Sequence, residues 1–322
     1  MQNSKPYIAV CMATYNGEAY IAEQIESIFA QTYSYFKIYI ADDQSHDKTS
    51  VIVRSFQKRY PDKISLIHRT KHVGVVKNFE LLLEACSEAY IVLADQDDIW
   101  EKYKLEVQLK AMLELEEISQ EKRCLVHSDL SVINQDALKL YDSYFNFRGY
   151  KLDECKDLGH ILGPSGVMGN TIMINAKLRD KILPFPPSLE IHDYWIGVVA
   201  ELYGSRRTLS KPLVRYRIHK NNASNSLKSI DSKVSIRRWL HRDLRLPYME
   251  STRAGLMQFL LTERLTKEDR HYIEAFYKYL TFSKSRISLY MDLLRYSLVK
   301  RSLKFRVLLL LKILITKRYS DH

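Results

Sequence analysis

The chain has 322 residues, of which 46% are hydrophobic and 27% charged, and it carries a formal net charge of +11. That length and apolar content suffice for a sizeable core and exclude a disordered chain. The charge is unevenly divided: residues 1–205 contain 22 Lys and Arg against 29 Asp and Glu, whereas residues 206–322 contain 27 against 9. We therefore expect two surfaces with different partners rather than one surface that binds any polyanion.

Short β-rich segments alternate with amphipathic helices over the first hundred residues, which predicts an α/β fold with a Rossmann-like mixed, mostly parallel sheet flanked by helices. Strands are predicted at 7–13, 36–41, 64–68 and 90–94. Helices are predicted from the apolar spacing at 21–29, 51–60, 79–85 and 102–117. A further strand is expected at 124–128 and a helix at 193–203, with a Pro-rich break at 184–187 between them.

From residue 234 onward the sequence is helical and basic. We expect a boundary near residue 225, with an α/β domain at 1–225 and a basic α-helical C-terminal extension at 226–322. Residues 296–318 contain seven Lys or Arg and no acid, interleaved with leucines, a composition suited to a membrane interface. The alternative is a helix packed on its own domain with a solvated basic face. No recognised nucleic-acid-binding module accompanies the charge, so no nucleic-acid partner is expected.

Bulk features also indicate the compartment. The four cysteines form no CxxC pair, which disfavours a structural zinc site and a disulfide-stapled secreted fold. The N-terminus does not resemble a signal peptide, and no apolar run, 307–311 included, approaches the roughly 18 to 20 residues that cross a membrane. These features predict a cytoplasmic protein, peripheral on the inner face of the cytoplasmic membrane.

Polar residues follow three of the predicted strands where each strand ends. In open α/β sheets the ligand binds outside the carboxyl ends of the strands. Asp and Asn are also common turn residues, but three such loops converging on one edge favour a binding site. These residues are Thr14, Asn16, Asp42, Asp43, Asp95, Asp97 and Asp98.

The acidic run at 95–98 suits Mg²⁺ or Mn²⁺ bound together with substrate phosphates, although it could instead favour the start of the next helix. A P-loop and a GxGxxG turn are both absent from the sequence, which disfavours a P-loop kinase and a dinucleotide-binding fold. Metal-assisted nucleotide chemistry of another design remains.

The ordered motifs Ala13-Thr14-Tyr15-Asn16-Gly17, Asp42-Asp43-Gln44-Ser45, Gly74 with Lys77-Asn78, and Asp95-Gln96-Asp97-Asp98-Ile99-Trp100 resemble those of family 2 glycosyltransferases, which have the GT-A fold. The second half, through segments 166–175, 183–186, 192–195 and 216–219, is similar to the rhamnosyltransferase-like branch. The resemblance covers roughly residues 6 to 226.

The resemblance implies an inverting, metal-dependent hexosyltransferase for bacterial surface polysaccharide synthesis. Its donor would be a nucleotide sugar, dTDP-L-rhamnose or a UDP-sugar, and its acceptor a glycan or a lipid-diphosphate-linked glycan. Two other classes stay open: a nucleotidyltransferase with a carboxylate–metal site, and a non-catalytic membrane-binding module.

The same resemblance assigns site residues. Asp193 is the expected general base, and Asp129, which follows the strand at 124–128, is its rival. The expected nucleotide-binding residues are Thr14, Asn16, Asp42, Asp43, Lys77 and Asp95. The expected ligands of Mg²⁺ or Mn²⁺ are Asp95, Asp97 and His219. The expected acceptor or sugar pocket contains Gly169, Asn170, His192, Trp195 and Arg217.

Simpler roles stand beside several of these assignments. Asp193 could be only the first-turn acid of its helix, and His219 a solvated loop residue. Arg217 could pair with an internal acid instead of a diphosphate, and Trp195 could pack in the core instead of walling a sugar pocket.

Overall fold

The structure is a computed structural model that describes residues 5–187, 189–220, 222, 250–281, 285–299, 301, 303, 306–307 and 309–311. The described residues divide into two compact units. The first contains the described residues of 1–148, 153–156 and 166–219. The second contains 149–152, 157–165 and the described residues from 220 onward.

A nine-stranded mixed sheet forms the first unit, in the order β3-β2-β1-β4-β8-β6-β9-β5, with β7 paired to β6. The strands are β1 (Ile8–Thr14), β2 (Phe36–Asp42), β3 (Ile64–His68), β4 (Tyr90–Ala94), β5 (Ile99–Trp100), β6 (Cys124–Ile133), β7 (Lys139–Tyr141), β8 (Met173–Asn175) and β9 (Ser205–Arg217). Strands β1 and β4 are largely apolar runs because both faces of the sheet are covered, and β6 is buried along its whole length although it contains polar residues. The expected mixed, mostly parallel sheet flanked by helices is confirmed.

Helices connect these strands. They are α1 (Ile21–Phe29), α2 (Thr49–Arg59), α3 (Val75–Ala85), α4 (Lys104–Ile118), α5 (Tyr144–Arg148), α7 (Ala176–Ile182) and α8 (His192–Tyr203), and α6 (Leu158–Leu162) belongs to the second unit. In α1, Ile21, Ile25 and Ile28 are fully buried, as their spacing predicts.

Strand register determines where the loops meet. The parallel pairing of β1 with β2 sets Thr14 beside Asp42, and the pairing of β1 with β4 sets Met12 beside Ala94. The antiparallel pairing of β5 with β9 places Ile99 opposite Arg215. The acidic run after β4 therefore lies next to the β1 and β2 loops and to the end of β9.

Helices make up the second unit. Besides α6 it contains α9 (Glu250–Thr262), α10 (Lys267–Leu280), α11 (Arg286–Arg295) and a last helical segment described at residues 303, 306, 307 and 309–311. In α10 the Thr266 hydroxyl caps the first turn, since its oxygen accepts a hydrogen bond from the Asp269 N–H at 3.0 Å. None of the helices within the described ranges is long and apolar enough to cross a bilayer.

The predicted boundary at residue 225 and the expected helix from residue 234 to 249 lie outside the described residues, as do residues 312–318 of the expected membrane segment. The extension stays a prediction over those stretches.

Candidate active site

The β1 and β2 loops are joined by hydrogen bonds between predicted nucleotide-binding residues. The buried Thr14 hydroxyl donates to Asp42 Oδ1 at 3.0 Å, and the Ser45 N–H donates to Asp42 Oδ2 at 3.1 Å. Asn16 adopts a left-handed φ of 48°, and its Oδ1 accepts from the His46 N–H at 2.8 Å. Thr14, Asn16 and Asp42 are therefore held in place by hydrogen bonds at the carboxyl ends of β1 and β2. These three residues are here called the β1–β2 edge.

Asp43 occupies a different environment from Asp42. It is buried, and its two carboxylate oxygens accept from the N–H groups of Val73 and Gly74, each at 2.8 Å. His72 Nδ1 lies 3.1 Å from Asp43 Oδ2. Asp43 thus holds the turn that opens α3, where Gly74 adopts a φ of +82°.

Lys77 follows on α3 and is half exposed. Its ammonium lies 2.6 Å from Glu80 Oε2, and Glu80 Oε1 accepts from the Phe185 N–H at 3.0 Å. The lysine is thereby oriented by a carboxylate that also binds the segment before α8.

The run from Asp95 to Asp98, here called the acidic loop, follows β4. Asp95 and Asp97 are partly exposed. Burial, together with the negative charges of Asp97 and Asp193, raises the pKa of Asp95 to about 7. Gln96 fastens the loop to the β1 turn, because its side chain both accepts from the Tyr15 N–H and donates to the Tyr15 carbonyl, each at 2.9 Å.

The structure brings together two of the three expected metal ligands. His219 Nε2 lies 2.8 Å from Asp97 Oδ2, and Asp97 is also close enough to Asp95 to raise its pKa. No group of three His, Cys, Asp or Glu side chains is arranged as a metal site within the described part of the chain. The expected ligands, two carboxylates and one imidazole, nevertheless fit Mg²⁺ or Mn²⁺. A cation would offset the electrostatic repulsion between the neighbouring carboxylates.

Asp98 is the buried member of the acidic loop. Its Oδ2 accepts from Asn170 Nδ2 at 2.5 Å, and its Oδ1 accepts from the Arg217 N–H at 3.1 Å. Burial, together with the charges of Asp97 and Asp95, raises the pKa of Asp98. The expected pocket residue Asn170 is therefore held from inside the fold.

Arg217 is almost fully buried, and its guanidinium contacts protein groups. It donates to the carbonyls of Asp97 and Gln135, each at 2.9 Å, and to Glu23 Oε2 at 2.5 Å. This arrangement matches the internal-pairing alternative for Arg217 and ties the end of β9 to α1 and to the acidic loop.

Asp193 lies in the first turn of α8, partly exposed, and its Oδ2 accepts from the Gly169 N–H at 3.1 Å. Its charge contributes to the raised pKa of Asp95. His192 stacks on Phe79, with ring centroids 4.3 Å apart, and a Cβ on Gly169 would lie 3.2 Å from His192 Nε2. Burial lowers the pKa of His192, so the ring is neutral near pH 7.

Asp129 and Trp195 are bonded to other parts of the first unit. Asp129 is buried and accepts from the N–H groups of Leu130 at 2.7 Å and Phe145 at 3.0 Å, and from the Ser143 hydroxyl. Trp195 is buried, and its indole N–H donates to the Ile182 carbonyl at 2.9 Å. Both side chains are thus engaged in packing and capping.

Three further residues contribute to the site, and the sequence assigned none of them a specific role. Asp98 and Gln96 lie within the recognised motif, but only burial and contacts separate their roles from those of Asp95 and Asp97. Lys104 is fully buried beside the acidic loop, which no sequence signal indicated.

Comparison with known proteins identifies sequences that are similar to this chain. Residues 9–128 match the family model described as glycosyl transferase family 2. Over 240 residues the chain is 28% identical to a Shigella flexneri protein named dTDP-rhamnosyl transferase RfbG, covering 69% of this chain and 76% of that protein. It is 32% identical over 114 residues to a Bacillus subtilis protein named putative teichuronic acid biosynthesis glycosyltransferase TuaG, covering 35% of this chain and 45% of that protein.

Solved structures share the fold. An S. aureus TarS fragment in complex with UDP-GlcNAc superposes with a TM-score of 0.59 at 17% identity, covering 90% of this chain and 80% of that one. A Pyrobaculum calidifontis mannosyltransferase in complex with GDP-Man and Mn²⁺ superposes with a TM-score of 0.55 at 17% identity, covering 95% and 79%. The expected GT-A fold is confirmed.

Proposed function

We propose that this chain, of which residues 9–128 match the model of glycosyl transferase family 2, is an inverting, metal-dependent glycosyltransferase that moves L-rhamnose from dTDP-rhamnose to a glycan or lipid-diphosphate-linked acceptor. The relative named a dTDP-rhamnosyl transferase, whose match extends well beyond residue 128, supports this donor. The relative named for teichuronic acid biosynthesis supports a role in bacterial surface polysaccharide assembly.

One observation carries the proposal. His219 Nε2 lies 2.8 Å from Asp97 Oδ2, and the negative charges of Asp97 and Asp193 both raise the pKa of Asp95. A group that can accept a proton thus lies beside groups suited to a cation and a diphosphate. Glycosyl transfer needs both functions at the anomeric carbon.

Asp193 is the general base of this proposal. The acceptor hydroxyl attacks the anomeric carbon, its proton passes to the Asp193 carboxylate, and the bond from that carbon to the diphosphate oxygen breaks. The Gly169 N–H orients the carboxylate through Oδ2, and no group in the described part of the chain donates to Oδ1, which can therefore face the acceptor. Attack from the face opposite the leaving group inverts the configuration, and no covalent enzyme intermediate forms.

In this proposal the β1–β2 edge binds the donor. Thr14, Asn16 and Asp42 would hold the nucleoside, with Asp42 accepting a hydrogen bond from N3–H of thymine or uracil. Asp95, Asp97 and His219 would hold Mg²⁺ or Mn²⁺, which supplies positive charge that stabilises the leaving diphosphate.

The test is a donor panel. Purified protein is incubated with Mn²⁺ or Mg²⁺ and with UDP-, dTDP- and GDP-sugars, and nucleotide release is measured with and without a chelator. We expect release to be fastest with dTDP-rhamnose and to stop with chelator. Fastest release from another donor would contradict the rhamnosyl assignment, and release insensitive to chelator would contradict the metal role. A nucleotidyltransferase would instead join a nucleoside triphosphate to a sugar 1-phosphate and release pyrophosphate. Pyrophosphate release from that pair, with no turnover of any nucleotide sugar, would indicate that class.

We also propose that the second unit binds the cytoplasmic face of the bacterial membrane. Residues 285–311 contain six Lys or Arg and one acid. On α11, Leu289 and Leu293 are buried, yet Ile287 and Met291 are also exposed by 66% and 58%. A surface helix ordinarily presents a polar outer face, so an exposed apolar stripe among cations suits anionic lipid. In the last helical segment the exposed apolar side chains are Leu303, Val307 and Leu311.

Vesicle binding tests the membrane proposal. We expect the full chain to co-sediment with vesicles containing about 30 mol% phosphatidylglycerol, and Ile287→Gln with Met291→Gln to weaken binding about tenfold or more. Val51→Gln, an exposed apolar position of the first unit, is the matched control and should bind like the unaltered chain. Undiminished binding of the α11 variant, or none by the unaltered chain, would overturn the proposal.

A further inference from the structure

Glu80 on α3 is a buried carboxylate with two different partners. Only 6% of the residue is exposed. Its Oε2 lies 2.6 Å from Lys77 Nζ, and its Oε1 accepts from the Phe185 N–H at 3.0 Å. A carboxylate is costly to bury unless its oxygens are bonded, and here each oxygen has a partner. Glu80 therefore joins the first turn of α3 to segment 183–187, which precedes α8.

The Lys77–Glu80 pair is poorly placed to stabilise α3 itself. Lys77 is the third residue of the helix, where the positive end of the helix dipole disfavours a cation, and the first turn contains no acidic residue. In helical ion pairs the acid is favoured on the N-terminal side, whereas here Lys77 precedes Glu80. An ion pair with a half-exposed lysine also contributes little to stability. A role outside the helix therefore accounts better for this pair.

The start of α3 is bonded to the loop that carries the β1–β2 edge. Asp43, which follows Asp42 of that edge, accepts from the Gly74 N–H immediately before α3. Lys77 is half exposed there, and an ammonium group has three N–H groups, of which the contact with Glu80 needs one. A cation in the first turn of a helix suits an anion such as the diphosphate of a nucleotide sugar.

The same helix holds the start of α8. Phe79 stacks on His192, with ring centroids 4.3 Å apart, and His192 directly precedes Asp193. Phe185 is itself buried, and Glu80 fixes its backbone N–H. Consecutive residues of α3 thus contact α8 both directly and through the segment that precedes it.

We propose that Glu80 is a positioning residue that connects donor binding to the general base. One of its oxygens orients the Lys77 ammonium for the donor diphosphate. The other fixes the segment before α8 and thereby the place of Asp193. The effect on donor binding and turnover rests on the proposed function, whereas the contact with Phe185 does not.

Nucleotide binding tests the contact with Lys77. Glu80→Gln keeps the shape of the side chain and an acceptor for the Phe185 N–H, but it removes the charge that orients the lysine. With Mn²⁺ present, we expect Glu80→Gln to weaken dTDP binding about threefold or more and Lys77→Met about tenfold or more. In the Lys77→Met background, Glu80→Gln should change the affinity less than about twofold, because its effect acts through the lysine. Equal losses in both backgrounds, or an unchanged affinity in Glu80→Gln alone, would overturn the orienting role.

Glu274→Gln is the matched control, since Glu274 on α10 pairs with Lys278 at 3.4 Å in the second unit. Loss of that ion pair should leave the dTDP affinity within about twofold of the unaltered chain. A control that weakens binding as much as Glu80→Gln does would contradict a specific role for Glu80.

Turnover tests the contact with Phe185. Glu80→Met fills a similar volume but offers no acceptor to the Phe185 N–H. We expect it to lower kcat about tenfold or more, because the segment before Asp193 is released, whereas Glu80→Gln should lower kcat less than about threefold. Equal kcat values in the two variants would contradict the link to the base. If Glu80→Gln folds and Glu80→Met does not, the acceptor is required for the fold, which supports the contact.

Hydrogen exchange tests the same contact without turnover. Within residues 184–187 only Phe185 has a backbone N–H, because the other three residues are prolines. Exchange there should be faster in Glu80→Met than in Glu80→Gln or the unaltered chain. Equal exchange in all three would overturn the contact. If the unaltered chain neither binds dTDP nor turns over a nucleotide sugar, the proposed function fails, and exchange at Phe185 still decides whether Glu80 holds the segment before α8.

Discussion

Asp193 and Asp129 are both aspartates beside strand or helix ends, but their surroundings differ. Asp193 is partly exposed and, among the described residues, accepts only the hydrogen bond from Gly169, whereas Asp129 is buried beneath two N–H groups and a hydroxyl. We expect Asp193→Asn to lower kcat by about 10² to 10⁴ with donor affinity and Tm nearly unchanged. Initial rates, donor titration and thermal unfolding measure these quantities.

Asp129→Asn is the informative comparison. Its amide would face donors in place of an acceptor oxygen, so we expect a loss of about 1–3 kcal/mol of unfolding free energy and a lower Tm. Turnover per folded molecule should change little. Full turnover in Asp193→Asn, with turnover lost in Asp129→Asn, would transfer the base to Asp129.

Asp95 gives the site a pH dependence. Burial and the charges of Asp97 and Asp193 raise its pKa to about 7, above the usual value of about 4 for an unfolded chain. The folded protein therefore holds an extra proton between about pH 4 and 7, and its metal-free stability declines as pH rises through that window. A cation competes with that proton, so Mn²⁺ should raise the Tm more at pH 8 than at pH 5.5. Equal stabilisation at both pH values would contradict this account.

The three acids of the acidic loop also mark the limit of sequence reasoning at the residue scale. The motif and its position after an apolar strand predict that a site forms there. Asp98 differs from Asp97 in being buried, with its carboxylate bonded to Asn170 and to the Arg217 N–H, and that arrangement depends on tertiary packing. The burial of Lys104 could likewise not be predicted from the sequence, because it lies in a segment rich in charged residues.

At the scale of elements, β1 to β4 and their helices were predictable because apolar runs and helical spacing fix them locally. The length of β9 was not, since its 13 residues include exposed polar positions and a Pro. Non-local pairing with β6 and β5 holds it in the sheet. This pairing brings Arg217 and His219 to the acidic loop, a juxtaposition that only the family resemblance anticipated.

Substitutions of Arg217 and Arg215, which lie on the same strand, test whether β9 is tied to the acidic loop through Arg217. Arg217 is buried and bridges α1, the acidic loop and the carbonyl of Gln135, whereas Arg215 is largely exposed in its pair with Glu101. We expect Arg217→Lys to cost about 2 kcal/mol, because a lysine cannot reach all three acceptors, and Arg215→Lys to cost less than about 1 kcal/mol. Chemical denaturation measures both, and equal costs would argue against a bridging role.

For the whole molecule, charge divides along the chain as the sequence indicates, but the compact units do not follow one linear boundary. Segment 157–165 belongs to the basic helical unit although it precedes four elements of the sheet unit. Within the helical unit, Asp157 accepts from Arg301 at 2.9 Å, and Ile161 and Leu162 are fully buried. The spacing of apolar residues cannot predict that segment 157–165 packs with the C-terminal helices. A helix of five residues is too short to show a clear apolar periodicity.

A substitution at Gly159 tests whether segment 157–165 packs within the helical unit. A Cβ added there would overlap the carbonyl oxygen of Tyr296, so the backbones of α6 and of the segment after α11 approach closely only because residue 159 is glycine. We expect Gly159→Ala to cost about 1–3 kcal/mol, seen as a lower Tm and faster hydrogen exchange in α11. Gly255→Ala on α9 is the matched control, because its Cβ would meet nothing within 4 Å and alanine favours a helix by up to about 1 kcal/mol. If both variants unfold at the same temperature, segment 157–165 does not pack within the helical unit, and a linear division of the chain would be restored.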